Sequence, residues 1–144
     1  SVCLSKGLGA PIGSVLLGDK ATIHRALRIR KILGGGMRQV GYLAAAGIYA
    51  LENNIRRLAE DHRRAKEIAE VLQKVNWVAS VEPVETNILI FTLVPNCIEK
   101  NLIELLKQKN ISISSMGQGK LRIVTHLDYK EVIHTYVLDT LLKL

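Results

Sequence analysis

Two kinds of hydrophobic spacing divide the chain. Ala21 to Leu33 has helical composition, Asp19 stands ahead of it as an N-cap, and three successive glycines, Gly34 to Gly36, stop it. Gln39 to Glu52 reads as an alanine-rich helix expected to be buried on most sides, and Asn53-Asn54 marks a break before the next. There, Leu58, His62, Ala65, Ala69 and Leu72 recur at intervals of three and four, which places them on one face of an amphipathic helix. Ahead of these helices, Ser1 to Leu4 and Ser14 to Leu17 read as short strands. They flank Ser5-Lys6-Gly7-Leu8-Gly9-Ala10-Pro11-Ile12-Gly13, which is too rich in glycine and proline for a helix interior.

Past Val75 long helices give way to short alternating units, so the expected regions are residues 1–75 and 76–144. Trp77 to Val81 and Asn87 to Leu93 read as strands. Asn96 and Glu99 have the spacing of a capping box, followed by the apolar face Ile98, Leu102, Leu105 and Leu106. Ile111 to Ser115 and Lys120 to Thr125 are strands across the turn Gly117-Gln118-Gly119, and Asp128 with Glu131 is expected to begin a terminal helix. Strands joined by such short turns pair antiparallel, so residues 76–144 should form an α+β layer with helices on one face of the sheet. No internal repeat is visible.

With 48% hydrophobic residues in 144, the composition is that of a folded chain large enough to bury a core without disulfides or metals. Cys3 and Cys97 lie far apart without a Cys-x-x-Cys pattern, and buried free thiols in a reducing, cytoplasmic setting are the simplest expectation. The longest apolar run, Gly41 to Leu51, falls short of the ~20 residues that span a bilayer, so no membrane is implied. Ser1-Val2-Cys3-Leu4 has neither a cap nor a charged leader, and it suggests a chain joined in mid-domain with sequence missing upstream.

The net charge of +7 raises the question of an anionic partner. Arg56, Arg57, Arg63, Arg64 and Lys66 are interleaved with Glu60, Asp61, Glu67 and Glu70, the pattern of a solvated helix face. His24, Arg25, Arg28, Arg30 and Lys31 have no acid among them and run into Gly34 to Gly36, which favours a nearby anion. The sequence holds no His-Glu-x-x-His, Walker loop or nucleophile elbow. His24, His62, His126 and His134 lack ligand-like spacing, so no metal is expected.

The segment Ser5-Lys6-Gly7-Leu8-Gly9-Ala10-Pro11 stands out. A lysine at the end of a buried strand can have its ammonium desolvated, which frees the neutral amine for Schiff-base chemistry, and flanking glycines let a planar ligand approach the backbone. On burial frequencies alone a lysine in a surface turn is the commoner case.

Resemblance supplies the second argument. Cys3-Leu4-Ser5-Lys6-Gly7-Leu8-Gly9-Ala10-Pro11-Ile12-Gly13-Ser14 resembles the cofactor-lysine segment of the low-specificity L-threonine aldolases. Leu33-Gly34-Gly35-Gly36-Met37-Arg38-Gln39 and Leu121-Arg122-Ile123-Val124-Thr125-His126 resemble two further motifs of that family, in family order and at family-like spacing. The implied fold is α/β and α+β, the C-terminal portion of a fold-type I, aspartate-aminotransferase-like enzyme. Residues 1–75 would end the large pyridoxal-phosphate domain, and residues 76–144 would form the small C-terminal domain.

The resemblance also implies an activity, the cleavage of L-threonine or L-allo-threonine to glycine and acetaldehyde. Lys6 would be the catalytic lysine that carries pyridoxal 5'-phosphate, and Arg122 would receive the carboxylate of the β-hydroxy amino acid substrate. A planar fork of donors suits a carboxylate, and alternation makes Arg122 face away from Leu121 and Ile123. Lys31 and Arg38 match basic residues that reach the cofactor phosphate across a subunit interface, so a homo-oligomer, dimer or tetramer, is implied. Gly34 to Gly36 would also serve as a plain helix stop. The family's upstream half, with its ring-stacking histidine and pyridine-pairing aspartate, has no counterpart here, so the chain is expected to be a fragment that is inactive alone.

Two rivals follow from other features. A related pyridoxal-phosphate-dependent β-eliminating lyase would use the same lysine. A basic nucleic-acid-binding module would use His24 to Arg38, but aromatics for stacking are nearly absent, and the expectation is no nucleic acid.

Overall fold

Asp19 caps the first helix as its position predicts. In the computed structural model, which describes residues 1–144, its carboxylate accepts hydrogen bonds from Thr22 N at 2.8 Å and Thr22 Oγ1 at 2.7 Å. The helix, α1 (Lys20–Ile32), ends at Leu33. Gly35 N then donates to Arg30 O and Gly34 N to Lys31 O, with Gly34 at φ 81°. These two bonds and the left-handed glycine make a Schellman stop, which is what a glycine after a helix is suited to. Strand β1 (Val2–Cys3) pairs antiparallel with β2 (Ser14–Val15), Val2 opposite Val15 and Cys3 opposite Ser14.

Contacts divide the chain into two units, Ser1–Leu58 and Ala59–Leu144. The first holds β1, β2, α1 and α2 (Gly41–Asn53). Its buried cluster is small: Leu4, Leu8, Ala10 and Ala50, with Leu58 packed against them. One expectation fails here. Helix α2 was expected to be buried on most sides, yet only Gly47 and Ala50 are buried, and Tyr42 is 91% exposed. Its alanine-rich composition marks a helix that can pack closely, but Leu4 and the few other apolar side chains of this unit cover one narrow strip of it. Helix α1 has no buried residue.

The second unit contains most of helix α3 (Leu58–Leu72), then β3 (Val78–Val81), β4 (Ile88–Leu93), α4 (Glu99–Gln108), β5 (Ser114–Gly117), β6 (Lys120–Val124) and α5 (Glu131–Leu142). The strands form one antiparallel sheet in the order β3-β4-β6-β5. Alternation decides which face is buried. Leu89, Phe91, Leu93 and Leu121 point into a core completed by Ala65, Ile68, Val71 and Leu72 of α3, Leu102 and Leu106 of α4, and Val137 and Leu141 of α5. The apolar face of α3 therefore belongs to this core, and the contacts divide the chain at the first residue of α3, whereas the pattern of the sequence changes after Val75.

Both capping boxes expected in this unit are absent. Helix α4 begins after Ile98 without a side-chain cap, and the Glu99 carboxylate instead accepts from Gly119 N at 3.2 Å. Helix α5 begins after Lys130, also without a side-chain cap, and Glu131 pairs with Arg63 at 2.8 Å and Arg64 at 3.1 Å. In each case the carboxylate has a long-range partner that local spacing does not reveal. The cysteines also depart from expectation: both are free but only partly buried.

His134 is the one histidine in the interior, 2% exposed. Its Nε2 lies 2.6 Å from Glu67 Oε2 and its Nδ1 3.1 Å from the Tyr129 hydroxyl. Burial pushes the Tyr129 hydroxyl up to about 12, so it stays protonated and can donate to Nδ1. Arg63 Nη1 donates to both Glu67 oxygens at 2.7 and 2.9 Å, and Arg64 Nη1 donates to Tyr129 O at 2.7 Å. These contacts tie α3 to the segment that follows β6, as does the Thr125 hydroxyl, which donates to Asp61 O at 2.6 Å.

Burial raises the Glu67 carboxyl, but the hydrogen bonds from Arg63 and His134 outweigh it and hold the group below its usual range. A carboxylate whose folded value is depressed contributes stability that is present above its unfolded value, about 4.3, and lost as pH falls through the folded value. We therefore expect the urea midpoint of the second unit to decline below about pH 4, with a smaller decline in Glu67→Gln. Equal acid sensitivity of the two proteins would show that Glu67 is not responsible.

Candidate active site

The Lys6 loop is shaped by what is buried on either side of it. Leu4, Leu8 and Ala10 are buried, whereas Ser5, Lys6 and Gly9 are exposed. Backbone bonds close the loop: Leu4 N donates to Gly13 O, Ala10 N to Leu4 O, and Gly9 N to Lys6 O. Gly9 takes φ 73°, a conformation in which a side chain would be strained. At Gly7 a Cβ would sit 3.0 Å from Leu58 Cδ2, so the leucine would have to shift by a few tenths of an ångström. From the end of α2, Asn54 Nδ2 donates to Leu8 O at 2.7 Å and fixes the far side of the loop. In the sequence Asn54 marks only a helix break; its amide at a helix end is the available signal, but the acceptor lies 46 residues away.

Lys6 is thus held by its backbone with its amine outward and free of hydrogen bonds. The desolvation expected of it is not supplied by residues 1–144, because the side chain is exposed. Cys3, three residues before it, lies with Sγ 3.4 Å from Ser5 Oγ. The Ser5 hydroxyl and backbone N–H hold the Cys3 thiol below its ordinary value, with smaller help from Ser14 and the Lys6 charge.

Lys31 and Arg38 lie at the end of α1 and beyond it, in the same unit as Lys6, both exposed and neither paired with an acid. The charge is distributed unevenly. Residues 1–58 carry nine of the 20 Lys and Arg but two of the 13 Asp and Glu, so the whole net charge of +7 resides there.

Arg122 is in the second unit, on β6, with Ile90 and Ser114 directly opposite on the neighbouring strands. It is exposed while Leu121 is fully buried, so the expected alternation holds and the guanidinium points away from the core. No hydrogen bond or ion pair engages it. A cleft of about 500 Å³ between β2 and α1 is lined by Val15, Leu16, Ile23, Ala26, Leu27 and Arg30, and contains none of Lys6, Lys31, Arg38 and Arg122. No cluster of metal-ligating side chains is present, and no helix is long and apolar enough to cross a membrane.

Known proteins resemble this chain in sequence and in fold. The family described as beta-eliminating lyase matches residues 1–94. The low specificity L-threonine aldolase of Escherichia coli is 49% identical over 128 residues, which is 89% of this chain and 37% of that protein. The probable low-specificity L-threonine aldolase 2 of Arabidopsis thaliana is 39% identical over 142 residues, 96% of this chain and 40% of that protein. The chain therefore spans well under half the length of these relatives. In fold it matches the cystine C-S lyase C-DES in complex with its product cysteine persulfide, with a TM-score of 0.53 at 13% identity over 75% of this chain and 31% of that one. A mutant of the same lyase, with glycine covalently linked to its PLP cofactor, matches equally well. The fold is thus the fold-type I architecture of that lyase, as the motifs imply.

The Cys3 environment can be tested directly. Because the thiolate is the reactive form, Ser5→Ala in a Cys97→Ser background should shift the midpoint of iodoacetamide labelling at Cys3 to higher pH. An unmoved midpoint would mean that Ser5 does not act on the thiol.

Proposed function

Because the chain belongs to the beta-eliminating lyase family, we propose that it carries the lysine and the substrate arginine of a pyridoxal-phosphate-dependent threonine aldolase. In a protein of its relatives' length, L-threonine or L-allo-threonine would be cleaved to glycine and acetaldehyde. The observation that carries this reading is Lys6, an unpaired amine on a loop whose flanking residues are all anchored, within a chain 49% identical to a low specificity L-threonine aldolase over 89% of its length. On this reading residues 1–75 close the large cofactor domain, residues 76–144 form the small domain, and the enzyme is a cytoplasmic homo-oligomer.

The residues present fit the cofactor. Lys6 offers an amine without a competing acceptor, Gly7 and Gly9 keep side chains off the loop surface, and Lys31 and Arg38 offer positive charge without neutralising acids for a phosphate. Bound pyridoxal phosphate supplies an electron sink for the pair left behind when the Cα–Cβ bond breaks. Lys6 would hold that group through its side-chain amine. Arg122 binds the substrate carboxylate with two parallel N–H donors, which fixes the orientation of Cα. Lys31 and Arg38 would hold the phosphate of a neighbouring subunit's cofactor by charge.

A related β-eliminating lyase is the second reading, favoured by the description of the matching family. The products separate the two. With threonine, an enzyme of full relative length carrying this chain should release acetaldehyde and glycine; 2-oxobutanoate would establish elimination instead. The 144-residue chain alone should show no efficient cleavage, since the groups that orient a bound cofactor ring are not among its residues. In the active enzyme, Arg122→Lys loses a bidentate pair worth about 1.5–3 kcal/mol, so kcat/KM for threonine should fall roughly tenfold to a hundredfold with cofactor affinity little changed. An unchanged kcat/KM would make Arg122 structural.

A further inference from the structure

The three consecutive glycines after α1 do three different things. Gly34 supplies the left-handed residue of the Schellman stop, and a Cβ on it would meet nothing within 4 Å. Its requirement is conformational. Gly35 brings the chain back against Arg30: a Cβ there would lie 3.0 Å from Arg30 Cγ and 3.3 Å from Arg30 O. Gly36 needs no unusual backbone conformation, since its φ is not among the positive values. A Cβ on it would nevertheless lie 2.6 Å from Lys31 Cδ and 3.3 Å from Lys31 Nζ. The Lys31 stem runs through the space that a Gly36 side chain would fill.

A lysine in the last turn of a helix ordinarily serves the exposed carbonyls there. For three of the four last carbonyls of α1 that work is already done. Leu33 N bonds Ile29 O, Gly35 N bonds Arg30 O, and Gly34 N bonds Lys31 O. The Lys31 side chain is folded over Gly36, its ammonium makes no hydrogen bond to a carbonyl, and no acid pairs with it. Its charge therefore remains available to an external anion.

We propose that Gly36 is a positioning residue for Lys31: its missing side chain lets the lysine stem lie across the loop and holds the ammonium where it meets a phosphate. This rests on the reading of Lys31 as a phosphate contact. The obstacle at Gly36 is a flexible side chain rather than backbone. In Gly36→Ala the lysine swings away, and neither the helix nor its stop is disturbed.

A double-mutant cycle in the 144-residue chain, with inorganic phosphate as the probe, tests this. Phosphate affinity is read from the amide shifts of residues 34–38 in the 15N-labelled chain, and α1 helicity from the carbon shifts. Gly36→Ala and Lys31→Ala should each weaken phosphate binding several-fold with helicity unchanged. The double variant should bind no more weakly than Lys31→Ala, because two residues acting through one contact are not additive. Three results would overturn the proposal. If Gly36→Ala weakens binding equally after Lys31 has been removed, the glycine acts through the backbone. If Lys31→Ala weakens binding and Gly36→Ala does not, Lys31 needs no positioning. If Lys31→Ala has no effect, or the unaltered chain shows no saturable shift, the phosphate reading itself fails, an outcome distinct from the other two.

Discussion

The burial of Leu4, Leu8 and Ala10 is the constraint from which the candidate chemistry follows. These three side chains, with Ala50 and Leu58, make the only buried cluster of the first unit, and they bracket Lys6 on both sides. Every backbone bond of the loop lies between or beside them. A lysine on a free surface turn samples many positions, whereas Lys6 is held at its Cα and free only along its side chain. The loop thus presents an amine from an anchored backbone, and between Leu4 and Ala10 the residues exposed with it are only serine and glycine.

Arg122 is held differently. It stands in the middle of a four-stranded sheet whose opposite face is sealed by the main core of the chain. Its strand is secured at its end by Thr125, whose hydroxyl reaches Asp61 O, and by a reciprocal pair in which Asn87 Nδ2 donates to Thr125 O and Thr125 N donates to Asn87 O. The charged network of Arg63, Arg64, Glu67, Glu131 and His134 then joins the following turn to α3. Of these contacts, the Thr125 bond to Asp61 O is buried and those of His134 are half-buried, so they should contribute more per bond than the exposed pairs of Arg63 and Arg64 with Glu131.

What the sequence made legible was mostly local. The Asp19 cap, the glycine stop after α1, the antiparallel order of the later strands and the outward face of Arg122 are each encoded within a few residues, and the structure has all of them. What it concealed depends on partners distant in sequence. Asn96-Glu99 and Asp128-Glu131 have the spacing of capping boxes, but Glu99 and Glu131 bond to partners across the fold. His134 reads as an ordinary helix residue until Glu67 and Tyr129 are brought against it. Helix α2 misleads in another way: its composition specifies close packing, while the number of side chains available to pack on it is a property of the whole assembly. The roles proposed for Lys6, Lys31, Arg38 and Arg122 come from motif resemblance joined to chemistry, and geometry adds that none of them is neutralised by an acid.

The central claim is that Lys6 is the residue to which the cofactor is bound. Borohydride reduction of the cofactor-loaded enzyme, followed by peptide mapping, locates that bond directly. The account predicts a single pyridoxyl-modified peptide containing Ser5-Lys6-Gly7, lost in Lys6→Ala together with the visible absorbance of the bound cofactor. Stoichiometric labelling of another lysine, with Lys6 unmodified, would contradict it.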